Sequence, residues 1–270
     1  MQSAHSAISC TVLAGLLALA PVAGAVERAR AGTEKGTGKE AEIEKSDPAA
    51  LAALERMDKA LAGRESLALD AQLSTEVILA NGQKVLIGGE SRVRFRRPDH
   101  LKMELKTDSF HRLLFHDGAR LTLFDKDRNY VGELEMKTDS RTALVVIARD
   151  YEIEMPLADL LEWGTPGAAE RKIEAAYLVG QSRVQGRTVQ HWAFRGPRLD
   201  WEIWLPMREG SLPVKISTVN KSIEGSPRYI ATIQWRKAEK LPASLFRPKL
   251  PEEVKKIPFR QIKSAEVKDD

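Results

Sequence analysis

The stretch Leu67–Arg97 constrains the fold of this chain more than any other. From Leu67 to Leu79 the odd positions are Leu67, Leu69, Ala71, Leu73, Thr75, Val77 and Leu79, separated by Ala68, Asp70, Gln72, Ser74, Glu76 and Ile78. A period of two puts one set on a buried face and the other in water. After Asn81-Gly82 the alternation resumes, with Val85, Ile87, Val93 and Phe95 odd and Lys84, Glu90, Arg92, Arg94 and Arg96 even. Two such runs across Asn-Gly predict a β-hairpin. Opposed residues share a face, and both apolar sets are odd, so paired numbers must sum to an even number. A three-residue loop, Ala80-Asn81-Gly82, meets this condition, with Gly82 in the left-handed region; a two-residue loop does not. Strands of about 13 residues, or about 43 Å, belong to large, strongly bent sheets.

The 270 residues have room for one large or two small domains, and a hydrophobic fraction of 43% is enough for a core. The net charge of +4 is weak and its charges are interleaved. With no nucleic-acid motif, no nucleic-acid partner is expected. The basic run Arg92–Arg97 reads as a solvated strand face that discourages edge pairing, with phosphate or lipid-headgroup contact as the alternative.

Residues 1–25 carry no Lys, Arg, Asp or Glu, and the run Ile8–Val22 is followed by Ala23-Gly24-Ala25. This pattern predicts a secretory signal cleaved after Ala25 and a periplasmic protein; the run is too short for a comfortable membrane span. The segment before the run lacks Lys and Arg, so the start lies upstream or the signal is a weak one. Cys10, the only cysteine, stands at the start of the apolar run, most of which follows it, whereas a lipidated cysteine comes after its run; this argues against lipidation. A chain cleaved after Ala25 has no cysteine, which excludes disulfides, thiolate catalysis and cysteine-ligated zinc.

Residues 26–46 read as a flexible leader, 47–260 as one domain and 261–270 as a frayed tail. Asp47 caps a helix with Pro48 in its first turn, a stripe of Leu51, Leu54, Met57 and Leu61, and Gly63 at its end. That stripe should pack on a sheet face; a free amphipathic membrane helix is the lesser reading. After the hairpin, short turns separate strands near 101–106, 111–115, 121–124 and 130–136. Thr142–Ala148 is apolar on every side, with Asp139 or Ser140 as a cap, and predicts a fully buried helix or strand, or a plug across the mouth of a curved sheet. Pro156–Trp163 reads as a second short helical piece. Five more strands follow near 173–184, 187–195, 199–206, 212–220 and 227–238, giving about eleven antiparallel strands with helices at the start and middle.

With a loop at Gly196–Leu199, Arg195 faces Asp200, Ala193 faces Glu202 and His191 faces Trp204. The other face then brings Phe194 to Trp201 and Trp192 to Ile203. Opposite charges meet on one side and aromatics on the other, each pair contributing roughly 0.2–1 kcal/mol. The same residues, His191-Trp192-Ala193-Phe194-Arg195 and Asp200-Trp201-Glu202-Ile203-Trp204, resemble the signature of a bacterial family of predicted periplasmic proteins. Pro156–Leu161, Leu241–Phe246 and Pro248 resemble its middle and closing segments. The likeness extends from about Asp47 to Phe259. Members of that family are similar to LolA/LolB lipoprotein carriers and related lipid-binding lipoproteins. The resemblance implies a mainly β fold with helices, an antiparallel incomplete barrel with an apolar hollow under a helical cover. The family has no established activity, so the resemblance assigns no functional residues.

Motifs for nucleophilic, phosphate-binding or metalloprotease chemistry are missing from the sequence, and no enzyme activity, cofactor or metal is expected. His111 and His116, five apart, fall on opposite faces of a strand. His191, Asp200 and Glu202 could form an acid–base group, but the pairing above puts His191 on the outer face. A sheet of about eleven strands is wider than the eight that side chains just fill. It leaves a hollow lined by Leu69, Leu73, Val77, Val85, Val93, Phe95, Met103 and Leu105, with Trp192, Phe194 and Trp201 from the other half. The expected function is a monomeric carrier or binding protein that holds a lipid, acyl chain or other hydrophobic ligand. The alternative is an envelope module whose hollow is filled by its own helices and which docks a protein partner.

Overall fold

The computed structural model describes residues 46–153, 155–162, 172–208, 210 and 212–261. The expected signal, nearly all of the leader, Trp163 and the tail beyond residue 261 lie outside the described residues. In chain order the elements are α1 (Pro48–Ala62), β1 (Ser66–Ile78), β2 (Lys84–Arg96), β3 (His100–Thr107), β4 (His111–Asp117), β5 (Arg120–Asp125), β6 (Tyr130–Glu135), α2 (Ser140–Tyr151), α3 (Asp159–Glu162), β7 (Ala175–Val184), β8 (Arg187–Arg195), β9 (Leu199–Pro206), β10 (Lys215–Asn220), β11 (Arg228–Trp235) and β12 (Lys255–Lys256). All strands join one open sheet, ordered β12-β6-β5-β4-β3-β2-β1-β11-β10-β9-β8-β7. Eleven pair antiparallel, as the patterning predicts. The twelfth, β12, is two residues long and runs parallel to β6. So short a strand has no alternation of its own to announce it.

The long hairpin takes the register that parity requires. Leu69 faces Val93 and Val77 faces Val85. Leu79 N donates to Gln83 O at 2.9 Å and Gly82 N to Leu79 O at 2.8 Å, with Gly82 at φ +81°. The aromatic hairpin also pairs as expected, Arg195 with Asp200 and Phe194 with Trp201.

The two longer helices, α1 and α2, cover the inner face, one over each half of the sheet, and the short α3 packs into the same cluster. Asp47 caps α1, its carboxylate accepting from Ala49 N at 2.8 Å. Asp47 N donates to Ala176 O of the edge strand β7, and the chain leaves α1 to enter β1 at the centre of the sheet. The buried stripe of α1 is Ala50, Ala53, Leu54, Met57 and Leu61, whereas Leu51 is 39% exposed. The expected stripe therefore turns by one position: small alanines allow the helix close to the sheet, and Leu51 falls outside the contact.

On the other half, Asp139 caps α2 by accepting from Thr142 N at 3.0 Å and Thr142 Oγ1 at 2.7 Å. Ser140 N donates to Pro98 O between β2 and β3. The segment expected to be buried on every side is buried only along Ala143, Leu144 and Ile147, and Val145 is 47% exposed. The helix meets the sheet along one stripe, and its outer side faces solvent.

The C-terminal segment wraps the β6 edge. Phe246, wholly buried on the outer face, lies edge-on to His100 at 5.2 Å under the Arg96 guanidinium. β12 then pairs with β6, and Phe259 crosses to the inner side, meeting Tyr151 edge-on at 5.4 Å. Gly132 makes room for it: a Cβ there would lie 2.9 Å from the Phe259 ring. Covering an edge in this way blocks pairing with other chains.

Candidate functional site

The candidate site is the walled interior of the fold. Leu69 and Leu73 from β1, Val93 and Phe95 from β2, and Met103 and Leu105 from β3 share one buried cluster with Trp192, Phe194 and Trp201 from β8 and β9. Val77 and Val85, also expected to line the hollow, are half-buried and lie outside that cluster, near the tip of the long hairpin. Strand alternation brings the wall together. What lies against it comes from the helices: Ala50, Met57 and Leu61 of α1, Ala143 and Ile147 of α2, and Leu160 and Leu161 of α3. Phe194 stacks on Trp201 with ring centres 5.4 Å apart. A surface hollow of about 540 Å³ lies elsewhere, on the outer side between β4–β6 and the C-terminal wrap, lined by Phe115, Arg120, Glu133, Phe246 and Arg247 among others.

Polar groups inside this wall are few. His116, wholly buried, bridges Ser140 Oγ and Met136 O at 3.0 Å each, tying β4 to the first turn of α2. His116 follows the buried Leu114 by two residues and so shares its face; the bond to Ser140 has no local signal. Three other buried polar atoms, Ser91 Oγ, Trp192 Nε1 and Trp201 Nε1, have no hydrogen-bond partner among the described residues. A buried polar group without a partner costs about 1–3 kcal/mol. Ser91→Ala is accordingly expected to raise the free energy of unfolding by about 1 kcal/mol, measured by urea denaturation. An unchanged or lower value would mean that the hydroxyl is satisfied in the folded protein.

The outer face carries the charges. Asp70 accepts from Arg94 at 2.9 Å and from Arg236 at 2.8 Å. Glu104 meets His111 at 2.8 Å and Arg92 at 3.3 Å. Glu202 meets His191 at 2.8 Å and also accepts from Arg228. His191 stacks on Trp204 at 4.0 Å. Of the acid–base group considered above, only His191 and Glu202 pair; Asp200 meets Arg195 and Lys221 instead. His111 and His116 stand on opposite faces, and no cluster of metal-binding side chains occurs among the described residues.

Burial alone would raise the carboxyls of Asp70, Glu104 and Glu202. The hydrogen bonds from Arg94, His111 and Arg228 respectively, with the charges around them, outweigh it and hold all three below their ordinary range. A folded-state pKa below the unfolded one stabilises the fold above the unfolded pKa, and that stability is lost as pH falls through the folded value. Urea midpoints are therefore expected to fall between about pH 5 and about pH 3, and Glu202→Gln to flatten that fall. An identical acid profile in the variant would show that this carboxylate has no part in it.

Residues 50–260 match the model of a family described as "Predicted periplasmic protein (DUF2092)". No curated protein matches the chain. Among solved structures it is similar to the Mycobacterium tuberculosis lipoprotein LppX, at 15% identity over 73% of this chain and 100% of that one, with a TM-score of 0.45. It is also similar to LprF from Mycobacterium bovis, at 10% identity over 77% and 100% of the two chains, with a TM-score of 0.44. A LolA superfamily protein from Nitrosomonas europaea is similar at 9% identity over 74% of this chain and 97% of that one, with a TM-score of 0.37.

Proposed function

The chain belongs to the DUF2092 family of predicted periplasmic proteins, and from that premise we propose that it is an envelope binding protein whose interior takes up an acyl chain or another hydrophobic ligand. The observation that carries this reading is the wall itself. Apolar side chains from both halves of one open sheet face a common space, and that space is closed by helices rather than by further strands. Helix cover is separable from a sheet in a way that strand pairing is not: it is held by side-chain packing and a few end contacts, without a ladder of backbone hydrogen bonds. An acyl chain that replaces the helices recovers about 0.8 kcal/mol per buried methylene, so the exchange needs little net free energy. Leu69, Leu73, Val93, Phe95, Met103, Leu105, Trp192, Phe194 and Trp201 are the proposed lining, with Val77 and Val85 at its open end. We read the protein as a binder rather than an enzyme, monomeric, cleaved after Ala25, with one domain over residues 47–260.

A second reading has its own observation. The interior is filled by α1, α2 and α3 of the same chain, as expected of an interaction module that docks a protein and holds no small ligand. The two separate in one experiment. Protein purified without detergent is extracted and its lipids identified by mass spectrometry, and delipidated protein is offered radiolabelled acyl lipids. Co-purified or absorbed lipid at about one per chain supports the first reading. No lipid in either arm, together with a stoichiometric envelope protein on pull-down, establishes the second.

A further inference from the structure

Two indole N–H groups within the wall are the observation that goes furthest. Trp192 is 2% exposed and Trp201 is 7% exposed. Nε1 of each has no acceptor among the described residues. The two are neighbours: Trp192 faces Ile203, and Trp201 lies two residues before Ile203 on the same face of β9. Diagonal neighbours on adjacent strands can reach one headgroup. An indole N–H only donates, so its complement is an acceptor. No Lys, Arg, Asp or Glu is fully buried among the described residues. An anion beside these donors would therefore lack a buried counter-charge, whereas a neutral carbonyl needs none.

Resting on the reading that the interior receives an acyl chain, we propose that Trp192 and Trp201 form a polar subsite for the uncharged carbonyl oxygen of an acyl ester. The ligand class that follows is a neutral, esterified lipid, in preference to a fatty-acid anion or a plain hydrocarbon.

Methyl palmitate, palmitate and hexadecane, delivered to the purified protein from cyclodextrin, share one chain length and differ at its end. The ester is expected to bind roughly tenfold more tightly than hexadecane, and more tightly than palmitate at neutral pH. Trp192→Phe and Trp201→Phe keep an aromatic ring but lose the donor; each should bring the ratio of ester to hexadecane affinity down towards one, whatever the smaller ring does to the affinity for hexadecane itself. In ¹⁵N-labelled wild-type protein, methyl palmitate should move both indole resonances downfield and hexadecane should not, a readout that survives if a variant fails to fold. Equal binding of ester and hexadecane with unmoved indole signals, or binding of palmitate as tight as the ester, overturns the subsite but leaves the acyl reading intact. No uptake of any of the three overturns the acyl reading itself. The ester can belong to a free glyceride or to a lipid-modified protein. Dipalmitoylglycerol and an O-palmitoylated peptide tell these apart, and either one binding with the same indole shifts supports the subsite.

Discussion

Ile147→Ala is expected to lower the free energy of unfolding by about 2–4 kcal/mol and, on the acyl-binding reading, to speed uptake of an apolar ligand by at least tenfold. Ile147 is wholly buried and lies on the single stripe by which α2 meets the sheet. Truncation removes transfer free energy and leaves a cavity that a β-sheet wall cannot collapse to fill. The loss falls on the cover and spares the strand ladders, so the opened state gains population relative to the closed one by a factor of about ten for each 1.4 kcal/mol. Urea denaturation measures the first effect, and time-resolved transfer of labelled lipid from vesicles the second. Lower stability without faster uptake would leave α2 as a structural lid on a self-filled core and favour the interaction module.

His116→Ala is expected to cost about 3–4 kcal/mol of stability. The imidazole is buried against Ser140 Oγ and Met136 O. Its removal leaves a hydroxyl and a carbonyl without their partner in the same stroke as it opens a cavity. Hydrogen exchange should report the loss at the first turn of α2 before it reaches β3 or β4, because Ser140 is the first residue of that helix. His116→Gln, which can keep one of the two bonds, should recover part of the stability. A loss below about 1 kcal/mol for the alanine variant would mean that the pair does not anchor the cover.

The wall of the site was legible in the residues before its cover was. Trp192, Phe194 and Trp201 were placed together by charge pairing on the opposite face, where Arg195 meets Asp200, and the observed register agrees. That the two indole donors have no acceptor among the described residues was not legible: whether an N–H finds one depends on tertiary packing, which strand parity does not specify. Val77 and Val85 alternate as faithfully as Val93 and Phe95 yet are only half-buried, since alternation names a face but not what covers it. Leu51 fell outside the α1 contact for the same reason.

Alternation and turn residues by themselves determined the faces of the strands, the long hairpin register about Gly82 and the register of the aromatic hairpin. These are local quantities: a side chain's face follows from its parity, and a turn's geometry follows from the few residues in it. Tertiary structure alone decided that α1 and α2 cover opposite halves of the sheet, that His116 reaches Ser140, and that Phe259 rounds the β6 edge to rest on Gly132. Each of those outcomes depends on the shape presented by a distant segment, and no residue carries that shape in its own neighbourhood of the chain.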